Sequence, residues 1–99
     1  KEYIGNINTN QSKLSIAMME SPQGWQEPGQ KPDFDEYTLV LNGTLQVETK
    51  EEVMFVKKGQ VVIAHKGEWI RYSTPLEEAQ YLSICIPAFS KELLNRDEE

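Results

Sequence analysis

The stretch that most constrains this chain is Asp35-Glu36-Tyr37-Thr38-Leu39-Val40-Leu41-Asn42-Gly43-Thr44-Leu45-Gln46-Val47. Two runs of β-favouring residues meet at an Asn-Gly pair, the dipeptide that most readily adopts the positive φ angles of a tight hairpin turn. The stretch therefore predicts two antiparallel strands joined at Asn42-Gly43. Side chains alternate across a strand, so Glu36 shares a face with Thr38 and Val40 while Tyr37, Leu39 and Leu41 point the other way. A carboxylate at the mouth of that face is the first candidate for chemistry.

The rest of the chain repeats the theme. Leu14–Met19, Val53–Val56, Val61–Ala64, Trp69–Ser73 and Tyr81–Ile86 are short apolar or alternating runs, separated by turn signals such as Lys57-Lys58-Gly59-Gln60 and His65-Lys66-Gly67-Glu68. Strands recurring every eight to twelve residues or so predict an all-β sandwich or barrel. Val61–Ala64, apolar on both faces, predicts a central strand. Between Ser21 and Phe34 fall Pro22, Gly24, Pro28, Gly29 and Pro32, a density of breakers that excludes helix and predicts one long loop carrying Trp25. Helix is confined to a turn near Lys91–Arg96, and Asp97-Glu98-Glu99 reads as a solvated tail. These signals divide the chain into an N-terminal arm or edge strand (residues 1–13), a barrel (14–90) and a C-terminal tail (91–99).

Bulk properties exclude several function classes. The 99 residues suffice for one hydrophobic core. No apolar run approaches the roughly 20 residues of a membrane-spanning helix. A net charge of −6, with Lys57-Lys58 as the longest basic run, disfavours a phosphate backbone as partner. The one cysteine, Cys85, has no partner for a disulfide, and no signal peptide opens the chain, which starts at Lys1. Both points predict a cytoplasmic protein.

The order of these features resembles the cupin family. Gly29, Glu36 and Gly43 fit the outline of the first cupin motif, and Gly59-Gln60-Val61-Val62-Ile63-Ala64-His65-Lys66-Gly67-Glu68-Trp69-Ile70 follows the frame of the second. The run Asp35–Gly43, with Ile84-Cys85-Ile86-Pro87-Ala88-Phe89 near the end, is most similar to the ethanolamine-utilisation subgroup. The resemblance implies a double-stranded β-helix or jelly-roll barrel with a short C-terminal helical turn. It also implies a metal site of three histidines and one glutamate, and here the sequence departs from the family. The two histidine positions of the first motif fall on Gln30 and Pro32, or on Gly29 and Lys31 with a longer gap, and that of the second falls on Ile70. Of the four customary ligands only Glu36 remains. His65, the lone histidine, stands where the second motif has a proline.

One imidazole cannot build the usual site, because an open transition-metal centre draws its affinity from several neutral nitrogens beside a carboxylate. The expectation is no cofactor, with Glu36, Gln30 and His65 as candidate ligands, and an oxygen-only set of Gln30, Glu36 and Asp33 or Asp35 that would suit a weakly held hard cation. The barrel interior is instead expected to take a small polar metabolite, lined by Gln30, Glu36, Thr38, Val40, Ile70, Tyr72, Tyr81 and Ser83, with Trp25 as a lid over the mouth. Cys85 shares the inward parity of Tyr81 and Ser83. The favoured reading is a binding, sensing or pathway-accessory module. Two rivals stand beside it: a metal-independent isomerase, epimerase or lyase-like enzyme using Glu36 as acid or base with Tyr72 or Tyr81, and an oligomerisation domain with a vestigial cavity. Apolar outer faces at Leu39, Leu41 and Val61–Ala64 predict a sheet-to-sheet homodimer.

Overall fold

The structure, a computed structural model, describes residues 1–97. Seven strands appear in chain order among these residues: β1 (Glu2–Ile4), β2 (Ser15–Ser21), β3 (Asp35–Thr49), β4 (Val53–Lys57), β5 (Val61–Ala64), β6 (Ile70–Ser73) and β7 (Ala79–Ile86), followed by a 3₁₀ turn at Lys91–Leu93. All pairings are antiparallel. A first sheet runs β1-β2-β7-β3-β5 and a second runs β4-β3-β6, so β3 belongs to both.

That sharing corrects the reading of Asn42-Gly43. The pair does not reverse the chain into a hairpin; it bends one strand of 15 residues from the first sheet into the second. Residues Asp35–Val40 pair with β5 and β7, whereas Thr44–Thr49 pair with β4 and β6. The register against β7 slips between Val40 and Asn42, a bulge, and Gly43 sits at φ 79°. An added Cβ at Gly43 would lie 1.9 Å from the Glu78 carbonyl oxygen, so both the angle and the close approach demand glycine. The local signal for positive φ was sound. What the bend joins is decided by which strands lie alongside.

The core lies between the two sheets: Val40, Val62, Ala64, Ala79 and Tyr81 from the first meet Leu45, Val47, Val56, Ile70 and Tyr72 from the second. A smaller cluster of Phe34, Cys85 and Leu94 closes one end. β5 is an edge strand rather than a central one, since β3 is its only partner among the described residues; Val62 and Ala64 point inward while Val61 and Ile63 are 55% and 48% exposed. β1 pairs with β2 of its own chain.

The proline-rich segment is a loop stitched to β6. Backbone bonds run between Gln30 and Ile70 in both directions (3.0 and 2.9 Å), from the Glu27 N–H to the Tyr72 carbonyl (3.2 Å) and from the Thr74 N–H to the Trp25 carbonyl (2.9 Å). Pro22, Pro28 and Pro32 have no N–H to offer, so only isolated bridges form where a full strand would otherwise run. The C-terminal segment docks beside this loop instead of trailing free. The Asp97 N–H bonds the Gly29 carbonyl (2.8 Å), the Trp69 indole N–H bonds Asp97 Oδ2 (2.9 Å), and Leu94 is buried. The tail predicted at Glu98 and Glu99 lies outside the described residues.

Candidate functional site

Strand parity places a row of small and polar side chains on the inner face of the first sheet: Ser15, Ala17 and Met19 on β2, Tyr81, Ser83 and Cys85 on β7, and Glu36 on β3. Tyr72 enters from β6. Trp25, Glu27 and Gln30 come from the stitched loop, and Leu94 and Arg96 from the docked C-terminal segment. Together they bound a cavity of about 310 Å³, at the lower end of the range for small-molecule pockets.

At its base the Glu36 carboxyl is held from both sides. The Tyr72 hydroxyl donates to Oε1 at 2.9 Å and the Ser83 hydroxyl donates to Oε2, with the Cys85 thiol 3.9 Å from the same oxygen. Glu36 is almost wholly buried, and desolvation lifts its pKa above the ordinary carboxylate value despite these three donors. Tyr72 is pushed well above the usual phenol value by burial and by the neighbouring Glu36, so its proton stays in place. Burial likewise raises Tyr81 to about 12, though Ser21 at 2.9 Å partly offsets it, and it raises the Cys85 thiol to about 12. Such a thiol is a poor nucleophile.

Glu27 is the second acid of the cavity. Burial pushes its carboxyl to about 7, the Tyr72 N–H at 3.2 Å pulls the other way, Glu36 adds to the rise and Arg96 opposes it. One residue, Tyr72, thus donates its hydroxyl to one acid and its backbone N–H to the other.

Of the residues that the sequence singled out, Gln30, Glu36, Tyr72, Tyr81, Ser83 and Trp25 all border this one cavity. Trp25 forms part of its wall, half-buried and packed against the main core. Thr38, Val40 and Ile70 do not border it. They face inward as parity requires but lie deeper, in the filled part of the barrel. Thr38 is buried beside Tyr72. His65 is exposed in its turn and borders a separate, more open depression of about 530 Å³ with Trp69, Lys50 and Glu68. Sequence reasoning missed Glu27, Arg96, Leu94 and the β2 residues. Parity alone exposes Ser15, Ala17 and Met19, and Glu27 is the only acid among the breakers of its loop before Asp33, but nothing in the sequence brings Arg96 to the mouth.

The residues present do not fit a transition-metal centre of the usual cupin kind. Both Glu36 oxygens accept hydrogen bonds from neutral O–H groups that keep their protons, no imidazole is near, and no group of three His, Cys, Asp or Glu side chains gathers among the described residues.

Residues 7–92 match the family described as ethanolamine utilisation protein EutQ. The chain belongs to the EutQ family. Solved structures agree on the fold. A putative ethanolamine utilisation protein Q from Salmonella typhimurium LT2 is 26% identical, with a TM-score of 0.77 over 90% of this chain and 68% of that one. The EutQ protein of Clostridium difficile is 22% identical, with a TM-score of 0.74 over 88% of this chain and 65% of that one. A cupin-like protein from Thermotoga maritima is 16% identical, with a TM-score of 0.78, which shows the fold alone. Across the whole sequence a Myxococcus xanthus protein named endoribonuclease YbeY is 34% identical over 98 residues, but this chain spans only 33% of that protein's length. This EutQ-family chain is a small cupin: a double-stranded β-helix whose regular secondary structure is all strand but for one 3₁₀ turn among the described residues. Among its described residues no helix is long and apolar enough to cross a membrane.

Proposed function

We propose that this EutQ-family cupin binds a small polar metabolite in its barrel and serves a metabolic pathway as a binding, sensing or accessory module. The observation that carries the reading is the cavity of about 310 Å³ with apolar walls at Trp25, Met19 and Leu94 and the Glu36–Tyr72–Ser83 cluster at its polar base. Apolar walls supply affinity and a few placed polar groups supply orientation. The family's printed link to ethanolamine utilisation supports a metabolic setting, whereas the nuclease name belongs to a protein of which this chain matches one third. The buried, unpaired Cys85 supports a reducing cytoplasmic compartment. Tyr37, Val61, Ile63 and Ile86, all at least a third exposed on the outer face of the first sheet, support a homodimer through that face.

The test is a thermal-shift screen against a metabolite library with Glu36→Gln as control. A ligand at one hundred times its Kd adds about 2.7 kcal/mol of stability, and the variant should lose most of that gain. A library that leaves the wild type unmoved refutes the binding reading.

A second reading, a metal-independent acid–base enzyme, is favoured by Glu27, whose carboxyl exchanges its proton near neutrality. It requires solvent deuterium to enter the bound compound at a rate that Glu27→Gln abolishes.

A further inference from the structure

None of the three carboxyls that line the cavity, Glu2, Glu27 and Glu36, has a cation within ion-pair distance among the described residues. The only ion pair among the described residues, Arg71 with Glu48 at 2.9 Å, belongs to the outer surface. Neither Arg96 nor Lys1, the basic residues at the cavity rim and both exposed, reaches Glu27 or Glu36 within ion-pair distance. The remaining titratable groups that face the cavity are Glu2 from β1, Tyr72 from β6, and Tyr81 and Cys85 from β7; none of these carries a positive charge. A second observation is independent of the acids. Gln30 lines the same cavity, is 4% exposed, and its Oε1 has no hydrogen-bond partner among the described residues. A buried amide oxygen left unpartnered costs about 1–3 kcal/mol, and rotation about its last bond lets the group offer either its oxygen or its N–H₂ to a guest.

One buried acid, Glu36, one half-buried acid, Glu27, an unpartnered amide oxygen and an aromatic wall form a complementary set for one ligand chemistry. An ammonium group donates three hydrogen bonds, brings a positive charge closer to Glu27 and Glu36 than Arg96 or Lys1 reaches, and is attracted to the Trp25 ring, while a short alkyl chain suits Met19 and Leu94. A carboxylate ligand would set a further acidic group beside Glu27 and Glu36 in the same low-dielectric space. We propose that the cavity takes a small primary ammonium compound, its charge held between Glu27 and Glu36 and its polar remainder met by Gln30. This rests on the binding reading above and narrows it to a ligand class. Entry of the cation favours the ionised form of both acids, so uptake of an ammonium releases protons from the protein near neutral pH.

The test compares three probes of matched size, propylammonium, 1-propanol and propionate, by NMR titration of the Trp25 indole resonance at about pH 7.5. Propylammonium is expected to bind at least about tenfold more tightly than either other probe, a gap of about 1.4 kcal/mol. Calorimetry in two buffers of different ionisation enthalpy should register the released proton, and Glu27→Gln should weaken propylammonium by about tenfold or more and reduce that release to the share that Glu36 supplies. If propanol or propionate binds as tightly, or if Glu27→Gln leaves propylammonium unchanged, the ammonium assignment falls while the binding reading stands. If none of the three binds but the library screen yields a neutral or anionic hit at Trp25, the same conclusion follows. If no compound of any class perturbs Trp25, both readings fall.

Discussion

Glu27→Gln should make the protein more stable at high pH and leave it unchanged at low pH. Burial raises the Glu27 carboxyl from 4.5 to about 7 in the folded chain. Below about pH 4.5 both folded and unfolded chains carry the proton, so the group has no effect on the balance. As pH climbs toward 7 the unfolded chain releases its proton while the folded chain must keep it, and the fold loses stability until the folded carboxyl also ionises. The difference between 4.5 and about 7, at 1.36 kcal/mol per pH unit, sets an upper figure of about 3.4 kcal/mol; Glu27 is only half-buried, so about 2 kcal/mol is the working value. Glutamine keeps an oxygen for the Tyr72 N–H and cannot ionise. Urea melts of both proteins at half-unit steps from about pH 4 to pH 8 should therefore coincide at the acid end and diverge by about 1–2 M in midpoint at the other. Glu36, raised in the same direction, leaves a residual slope in both proteins. Two curves that stay parallel from acid to alkaline pH would refute the claim that the cavity desolvates Glu27.

Three further perturbations probe other parts of the argument. Gly43→Ala, with its Cβ driven onto the Glu78 carbonyl at a positive φ, should cost more than about 2 kcal/mol, read as a fall in melting temperature of roughly 10 °C or more, and a variant of wild-type stability would contradict the strand-switching bend. Tyr72→Phe strips one donor from the buried Glu36 carboxyl; it should cost about 1–2 kcal/mol and drive Glu36 further upward, seen as a later titration of its carboxyl carbon in NMR. Gly29→Ala places a Cβ 2.4 Å from the Trp69 ring and 2.5 Å from Asp97, so the Asp97 amide should exchange with solvent faster than in the wild type while Gly43 exchanges unchanged.

Much of the site was legible because the relevant geometry is local. The alternation of strand side chains points Glu36, Tyr72, Tyr81 and Ser83 inward, and they meet in one cavity. Thr38 and Ile70 have the same parity and yet lie below it, because parity gives the side of a sheet and not the depth along the barrel. Asn42-Gly43 shows the complementary limit. The pair demands a positive φ wherever it lies, but a reversal and a bend use that angle alike, and only the neighbouring strands distinguish them. Two apolar faces make Val61–Ala64 look central in the sequence; in the fold it is an edge strand with Val61 and Ile63 exposed on its outer face.

The sequence by itself determined the family and its frame, through glycines whose spacing follows from turns and close approaches, and it determined that the histidines of a metal centre are absent. These are properties of residue identity and short-range geometry. The chemistry of Glu27 was decided only by the tertiary structure. The loop, β6 and the C-terminal segment together remove water from that carboxyl and bring Glu36 and Arg96 within its field, and a pKa set by surroundings assembled from three distant parts of the chain has no signature in any one of them.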